Sequence, residues 1–188
     1  MESWSNLFEF KEIYTSDFLL KILDINDLQS IFELLKNDEV VQYLDTQKHL
    51  DLKDTALFLT QLITNFNNQY NLPIGIYNPD KQLIGFINLH SFNFKHRFLS
   101  FTLAVNQNYW GKRIIKLAFE FVINALFQNF NFHRIEAQVH INNLRSLKFF
   151  QKFGFITEGI QKENFLIENT FFDCYAIAKI NTNSAKNI

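Results

Sequence analysis

Tyr109-Trp110-Gly111-Lys112-Arg113-Ile114-Ile115 carries two cations, a glycine and no carboxylate, between a β-type run over residues 98–105 and an amphipathic helical stretch from Trp110 to about Phe130. The position matters more than the composition. The first N–H groups of a helix lack intrahelical partners, and the macrodipole places partial positive charge at that end. Backbone atoms can hold a pyrophosphate there, a glycine lets it approach closely, and an arginine fork matches its oxygens. Gly111, Lys112 and Arg113 are therefore candidate phosphate ligands, with a plain turn and a solvated basic face as the competing reading.

Downstream, residues 133–140 read as a strand. Asn142-Asn143-Leu144-Arg145-Ser146 then opens a short helix to Lys152, with Asn142 or Asn143 as its N-cap and Gly154 as its stop. Residues 170–180 read as a closing strand. Upstream, residues 74–77 and 82–90 flank Asn78-Pro79-Asp80-Lys81, a turn-forming set, and so predict a hairpin. A helix starting near Asp51 or Asp54 returns Leu52, Ala56, Leu59, Leu62, Ile63 and Phe66 to one face, and Pro73 lies just beyond it. Another, opened by Asp24-Ile25-Asn26-Asp27, carries Leu28, Ile31, Phe32, Leu34 and Leu35. Residues 18–23 form the first strand, and residues 1–13 and 181–188 are expected to fray. The order predicts one α/β (α+β) domain over residues 1–188, with a core from about 14 to 180 and a mixed sheet.

The 188 residues are 47% hydrophobic, enough for a sizeable core. A net charge of -1 with 20% charged residues gives no field that draws nucleic acid or anionic lipid. A peptide or small-molecule partner is expected instead. No apolar run approaches the roughly 20 residues of a membrane helix, and residues 1–10 lack the apolar segment of a signal peptide. The expected location is cytoplasmic. The single cysteine, Cys174, excludes an internal disulfide and reads as a small buried hydrophobe. No His and Cys spacing suggests a metal site. Phe119, Phe121, Phe127, Phe130, Phe132, Phe149 and Phe155 read as core packing.

Tyr109-Trp110-Gly111-Lys112, Arg134-Ile135-Glu136-Ala137, Asn143-x-x-Ser146, Gly154-Phe155 with Glu158-Gly159, and Asp173 together resemble the GNAT acetyltransferase superfamily. Within it they resemble the Rim-type branch, which acetylates the N-termini of ribosomal proteins. The likeness spans roughly Leu19 to Ile180. It implies a mostly antiparallel central sheet with helices on both faces, two strands splayed at the cofactor site, and acetyl-CoA as the cofactor. It places the cofactor against Leu103, Ala104, Val105, Asn108, Trp110, Gly111, Lys112, Arg113, Ile114, Asn143 and Ser146. Two positions depart from the family's phosphate loop, where Asn108 is shorter than the usual residue and Arg113 replaces a small one.

The resemblance implies direct acetyl transfer to a neutral amine, with backbone N–H groups at residues 103–105 polarising the carbonyl and Asn143 contacting the pantetheine arm. Many members use a tyrosine as the acid at the position of Phe150, which has no proton to give. Ser146, one turn earlier, is the candidate acid, against its reading as a small first-turn residue. A Rim-type glutamate position falls on Phe165, which leaves Glu136 and His90 as the candidate bases near the sheet's open centre, with an ion pair to Arg134 or another cation as the competing reading of Glu136. His90 reads as a partly exposed strand-end residue. An α-amine titrates near about 7.7–8.0 and lysine near about 10.4, so a site without a strong base suits an α-amine. A peptide N-terminal amine is the expected acceptor, acted on by a monomer or homodimer. A small amine such as a polyamine or aminoglycoside is the alternative, and a non-catalytic acyl-CoA-binding module is the competing class. Asp38, Glu39, Asp45, Asp51 and Asp54 flank the expected acceptor groove.

Overall fold

Alternating apolar residues pair into strands and residues at helical spacing cover them, giving one eight-stranded sheet in a computed structural model that describes residues 4–10, 12–44, 46–167 and 169–182. The elements run β1 (Glu12–Tyr14), β2 (Leu19–Ile22), α1 (Leu28–Leu35), α2 (Asp38–Val41), α3 (Leu52–Asn67), β3 (Asn71–Tyr77), β4 (Leu83–Asn93) and β5 (Phe98–Val105). They continue with α4 (Arg113–Gln128), β6 (Arg134–His140), α5 (Leu144–Lys152), β7 (Ile156–Ile167) and β8 (Thr170–Ile180). The strand order is β1-β2-β3-β4-β5-β6-β8-β7, and every neighbouring pair is antiparallel except β5 with β6.

Helices cover both faces. Ile87, Val105 and Ile135 pack with α4 residues Ile115, Phe119 and Val122 on one side. Phe86 and Ala104, one residue out of phase, pack with Ile31, Leu35 and Leu59 of α1 and α3 on the other. The cap chemistry sets the helix starts. Asp51 accepts from the N–H groups of Lys53 and Asp54, Asn37 from that of Glu39, and Asn143 from that of Ser146. Gly154, at φ +82, closes α5 in the left-handed region.

Several expectations are corrected. Residues 24–27 form a 3-10 turn with a capping box between Asp24 and Asp27, and α1 starts only at Leu28. Residues 12 and 13, expected to fray, form β1 with Tyr14 against β2. Asn181 is buried and its side chain donates to the Phe127 and Phe132 carbonyls, so order extends past β8. The expected fraying of residues 1–3 and 183–188 concerns positions outside the described residues. β7 was not anticipated because it is an edge strand exposed along most of its length, without apolar alternation. Pro73 lies inside β3, tolerated because it falls one residue past the β2 ladder, which ends at Ile22↔Ile74. α4 starts at Arg113 instead of Trp110, since Gly111 has φ +74 and interrupts the helical path.

The centre of the α4 side is aromatic. Phe119 is fully buried, with its ring centroid 5.4 Å from that of Phe101, 5.5 Å from Phe150, 5.1 Å from Phe153 and 5.4 Å from Phe149. It ties α4 and α5 to β5. Phe119→Ala is expected to lower the unfolding free energy by about 3–5 kcal/mol, read by chemical denaturation; a loss below about 1 kcal/mol would show that the cluster does not hold the two helices to the sheet.

Candidate active site

Parallel strands β5 and β6 share a ladder over three pairs only, Phe98↔Arg134, Leu99↔Ile135 and Ser100↔Glu136. β5 stays on β4 as far as Val105, and β6 stays on β8 as far as His140. The two strands therefore part company beyond Ser100 and Glu136. Main-chain groups released from a ladder need other partners, so such a gap accepts an extended ligand bearing amide groups.

Two adjoining cavities occupy the gap. The smaller, about 90 Å³, is bounded by Leu103, Ala104 and Val105 of β5, by Trp110 and Gly111, and by Arg145 of α5. The larger, about 300 Å³, reaches from the segment after α2 across β4, β5 and β6 to β7. Tyr43, Leu44, Leu103, Asn143, Ser146 and Phe150 line both. Their junction is where two ligands could meet.

The smaller cavity has the features of an anion cradle. Lys112, the N-cap of α4, makes no side-chain cap bond, and the first turn contains no acid, so the opening N–H groups have no side-chain cap. A Cβ built on Gly111 would meet nothing within 4 Å, so the loop surface is open there. Trp110 Nε1 donates to the Val105 carbonyl at 2.9 Å, pinning the loop to the end of β5. The Arg145 guanidinium carbon lies 3.2 Å from the Trp110 ring centroid, a stacked cation at the rim.

The structure brings together Leu103, Ala104, Val105, Trp110, Gly111, Asn143 and Ser146. Ile115, part of the buried core, lines the cavity, and Ile114, half-buried against that core, does not. Asn108 faces a separate surface depression with Glu33 and Asp38. Lys112 and Arg113 are exposed at the start of α4 and line neither cavity. Asn143 Oδ1 accepts from Ser146 N–H at 3.1 Å, so the capping role is real and Ser146 is held in the first turn. Phe150 is buried against Phe101 and Phe119, filling the place of an acid with a ring.

Glu136 does not reach either cavity. Its Oε2 accepts from Arg134 Nε at 2.7 Å, and Arg134 also clasps Glu158 through both terminal nitrogens. Those two carboxylates hold the guanidinium pKa above its ordinary value. The ion-pair reading of Glu136 stands. His90 also departs from expectation: β4 continues to Asn93, so His90 lies within the strand and lines the larger cavity.

Tyr43, His140 and Arg145 escaped the sequence reading. The Tyr43 and His140 rings meet at a 41° tilt with centroids 5.0 Å apart, and the Phe172 ring centroid lies 4.7 Å from that of His140. The backbone N–H of Asn142 donates to His140 Nδ1 at 3.1 Å, leaving Nε2 to carry the proton. Arg145 sat in a quoted motif; its stacking became legible only once Trp110 was known to lie outside the helix. Of the acids expected near the acceptor, Asp51 caps α3, Asp54 accepts from Leu50 N–H, Asp38 pairs with Lys48, and Glu39 borders the smaller cavity. Asp45 lies outside the described residues. Among the described residues no Asp or Glu lines the larger cavity, no cluster suits a metal ion, and no helix is long and apolar enough to cross a membrane.

A family profile described as a GNAT acetyltransferase domain matches residues 17–156. The chain is 23% identical over 159 residues to spermidine N(1)-acetyltransferase of Vibrio cholerae, covering 84% of this chain and 90% of that protein. The crystal structure of spermidine N-acetyltransferase from Vibrio cholerae in complex with CoA and spermine superposes with a TM-score of 0.78 at 20% identity, covering 92% of this chain and 100% of that one. Ribosomal-protein-S5-alanine acetyltransferase from Vibrio fischeri gives 0.78 at 19% identity, covering 93% and 98%. The two named activities differ in acceptor, so likeness of fold does not choose between them.

Burial lowers the pKa values of His49, His90 and His140 below 6.5. In the unfolded chain these residues take up protons first as pH falls, so the stability present above about pH 6.5 is lost on going down through the lowered folded values. Unfolding free energy measured from pH 7.5 to 5 is expected to decline on the acid side; a flat or rising profile would contradict the neutral, buried state of the three rings.

Proposed function

This chain belongs to the GNAT acetyltransferase family, and we propose that the amine it acetylates is an α-amine at a peptide N-terminus, presented through the larger cavity. It is an acetyl-CoA-dependent N-acetyltransferase. When bound, acetyl-CoA supplies the activated acetyl group, and the residues of the smaller cavity suit it. Gly111 and the uncapped start of α4 offer amide hydrogens to a diphosphate, with the Arg145 guanidinium at the rim. Residues 103–105 of β5 offer main-chain groups to the pantetheine amides, with N–H donors for the charge that develops on the acetyl oxygen. Ser146, at the junction, holds a hydroxyl for the departing sulfur where Phe150 holds none.

The observation that carries the acceptor reading is the lining of the larger cavity. Tyr43, Phe58, Phe86, His140 and Phe165 supply ring surface, while Asn88, Thr102 and Asn164 supply uncharged polar groups. A polyamine keeps further ammonium groups after its reacting nitrogen is neutral, and those would meet no described carboxylate here. An α-amine, neutral in useful fraction near pH 7, leaves no such charge behind. The second reading, a small amine such as a polyamine, is favoured by the spermidine-acetylating relative and by Glu39 at the border of the smaller cavity.

Thiol release from acetyl-CoA with N-terminal peptides, monoamines and spermidine decides between them. Peptide α-amines are expected to exceed spermidine in kcat/KM by about tenfold or more, roughly the discrimination one uncompensated polar group produces; the reverse order would establish the second reading. Ser146→Ala is expected to lower kcat by about 100-fold, in the range of general acid catalysis, with little change in acetyl-CoA Kd. Gly111→Glu should weaken acetyl-CoA binding by about tenfold, because its carboxylate takes the cradle meant for phosphate. Gly111→Ala, whose Cβ meets nothing within 4 Å, separates backbone strain from occlusion. Equal losses of affinity in the Ser146 and Gly111→Glu variants would contradict both roles.

A further inference from the structure

Deprotonating the amine is the task that no residue has yet filled, and the larger cavity offers three titratable side chains among its described lining: Tyr43, His90 and His140. His140 is already committed, since its Nδ1 accepts from Asn142 N–H and its proton stays on Nε2. Tyr43 offers a phenol O–H, a hydrogen-bond donor and not an amine-type base. His90 has a different setting. Its Nδ1 lies 3.0 Å from Ser91 Oγ and its Nε2 lies 3.3 Å from Thr102 Oγ1, and both Thr102 and His90 line the cavity.

Strand geometry places these groups together. Asn88 and His90 are two apart on β4 and share a face, and Thr102 is the cross-strand partner of Asn88. Asn88 Oδ1 is buried without a hydrogen-bond partner, so this corner also holds an acceptor that a ligand N–H would satisfy. Burial lowers the ring's pKa below its ordinary value. Glu136 lies in the same cross-strand row beyond Ser100, accepts from the Ser100 hydroxyl at 3.4 Å and is tied up by Arg134. With the proton on Nδ1 donated to Ser91, Nε2 is open to accept from the Thr102 hydroxyl.

We propose that His90, acting through the Thr102 hydroxyl, takes the proton of the acceptor amine, making the β4–β5 face the proton-removing wall of the cavity. Thr102 Oγ1 receives the proton that the amine sheds as its nitrogen bonds the acetyl carbon and the carbon–sulfur bond breaks. The hydroxyl's own proton moves to His90 Nε2, and His90 releases it to solvent. Ser146 gives one proton to the sulfur and regains one from solvent, so protons and electron pairs balance. The inference rests on the larger cavity being the acceptor site.

The test uses the full chain with an amine that the wild type acetylates. His90→Gln is expected to lower kcat by about 100-fold and to remove the acid limb of the pH profile of kcat/KM, while acetyl-CoA Kd measured by calorimetry stays at the wild-type value. Thr102→Val should follow it and Thr102→Ser should restore most of the rate. Independently of turnover, nitrogen NMR of the histidine rings should show His90 protonated on Nδ1 at pH 7.5. Wild-type kcat in His90→Gln, or a proton resident on Nε2, would overturn the proposal. An acceptor analogue whose contacts fall outside the larger cavity would instead overturn the acceptor reading on which it stands.

Discussion

The early end of the β5–β6 ladder is the constraint on which the rest depends. Had pairing continued past Ser100 and Glu136, the sheet would be closed at its centre and neither cavity would exist. β5 remains straight because its other edge is held by β4 through Val105, at a spacing that Gly85 permits: a Cβ there would sit 2.5 Å from the Ala104 carbonyl oxygen. β6 is held by β8 over seven pairs. Each strand of the gap is thus secured from outside, and the opening needs no wedge of its own. Where Val105 ends, the indole of Trp110 takes its carbonyl and turns the chain through Gly111 into α4, placing a helix start at the mouth of the opening.

The aromatic cluster behind the gap explains what Phe150 does. A phenol there would present a hydroxyl toward the junction, but the ring of Phe150 lies among Phe101, Phe119, Phe149 and Phe155 and is almost entirely buried. The side chain strengthens the attachment of α5 to the sheet. In the proposed assignment the proton chemistry falls to Ser146 of α5, Thr102 of β5 and His90 of β4, which come from three different elements around the larger cavity. The segment after α2 meets β6 where the Tyr43 ring centroid lies 5.0 Å from that of His140, at the edge of the same cavity.

The sheet's central strands and the long helices were legible because their burial is one-sided and leaves a period in the sequence: Phe98–Val105 and Thr170–Ile180 were bounded as observed. β1 and β7 left no such trace, one being three residues long and the other exposed along most of its length. The smaller cavity was readable from Trp110-Gly111 and Asn143-x-x-Ser146, whose local chemistry is contained in a few consecutive residues. The larger cavity was not. Tyr43, His90 and His140 converge from β4, β6 and the turn after a four-residue helix, and only the register of the sheet brings them together. Glu136 misled because a carboxylate next to an open sheet centre looks the same in sequence whether or not Arg134 and its second partner, Glu158, hold it aside.

The central claim is that the interrupted ladder and the uncapped start of α4 are one continuous binding track. Amide hydrogen exchange with and without coenzyme A reads it residue by residue. Slowed exchange is expected to be confined to residues 103–105 of β5, residues 111–115 and the first turn of α5. Slowing elsewhere, with the β5 amides exchanging as fast as in the free chain, would contradict it.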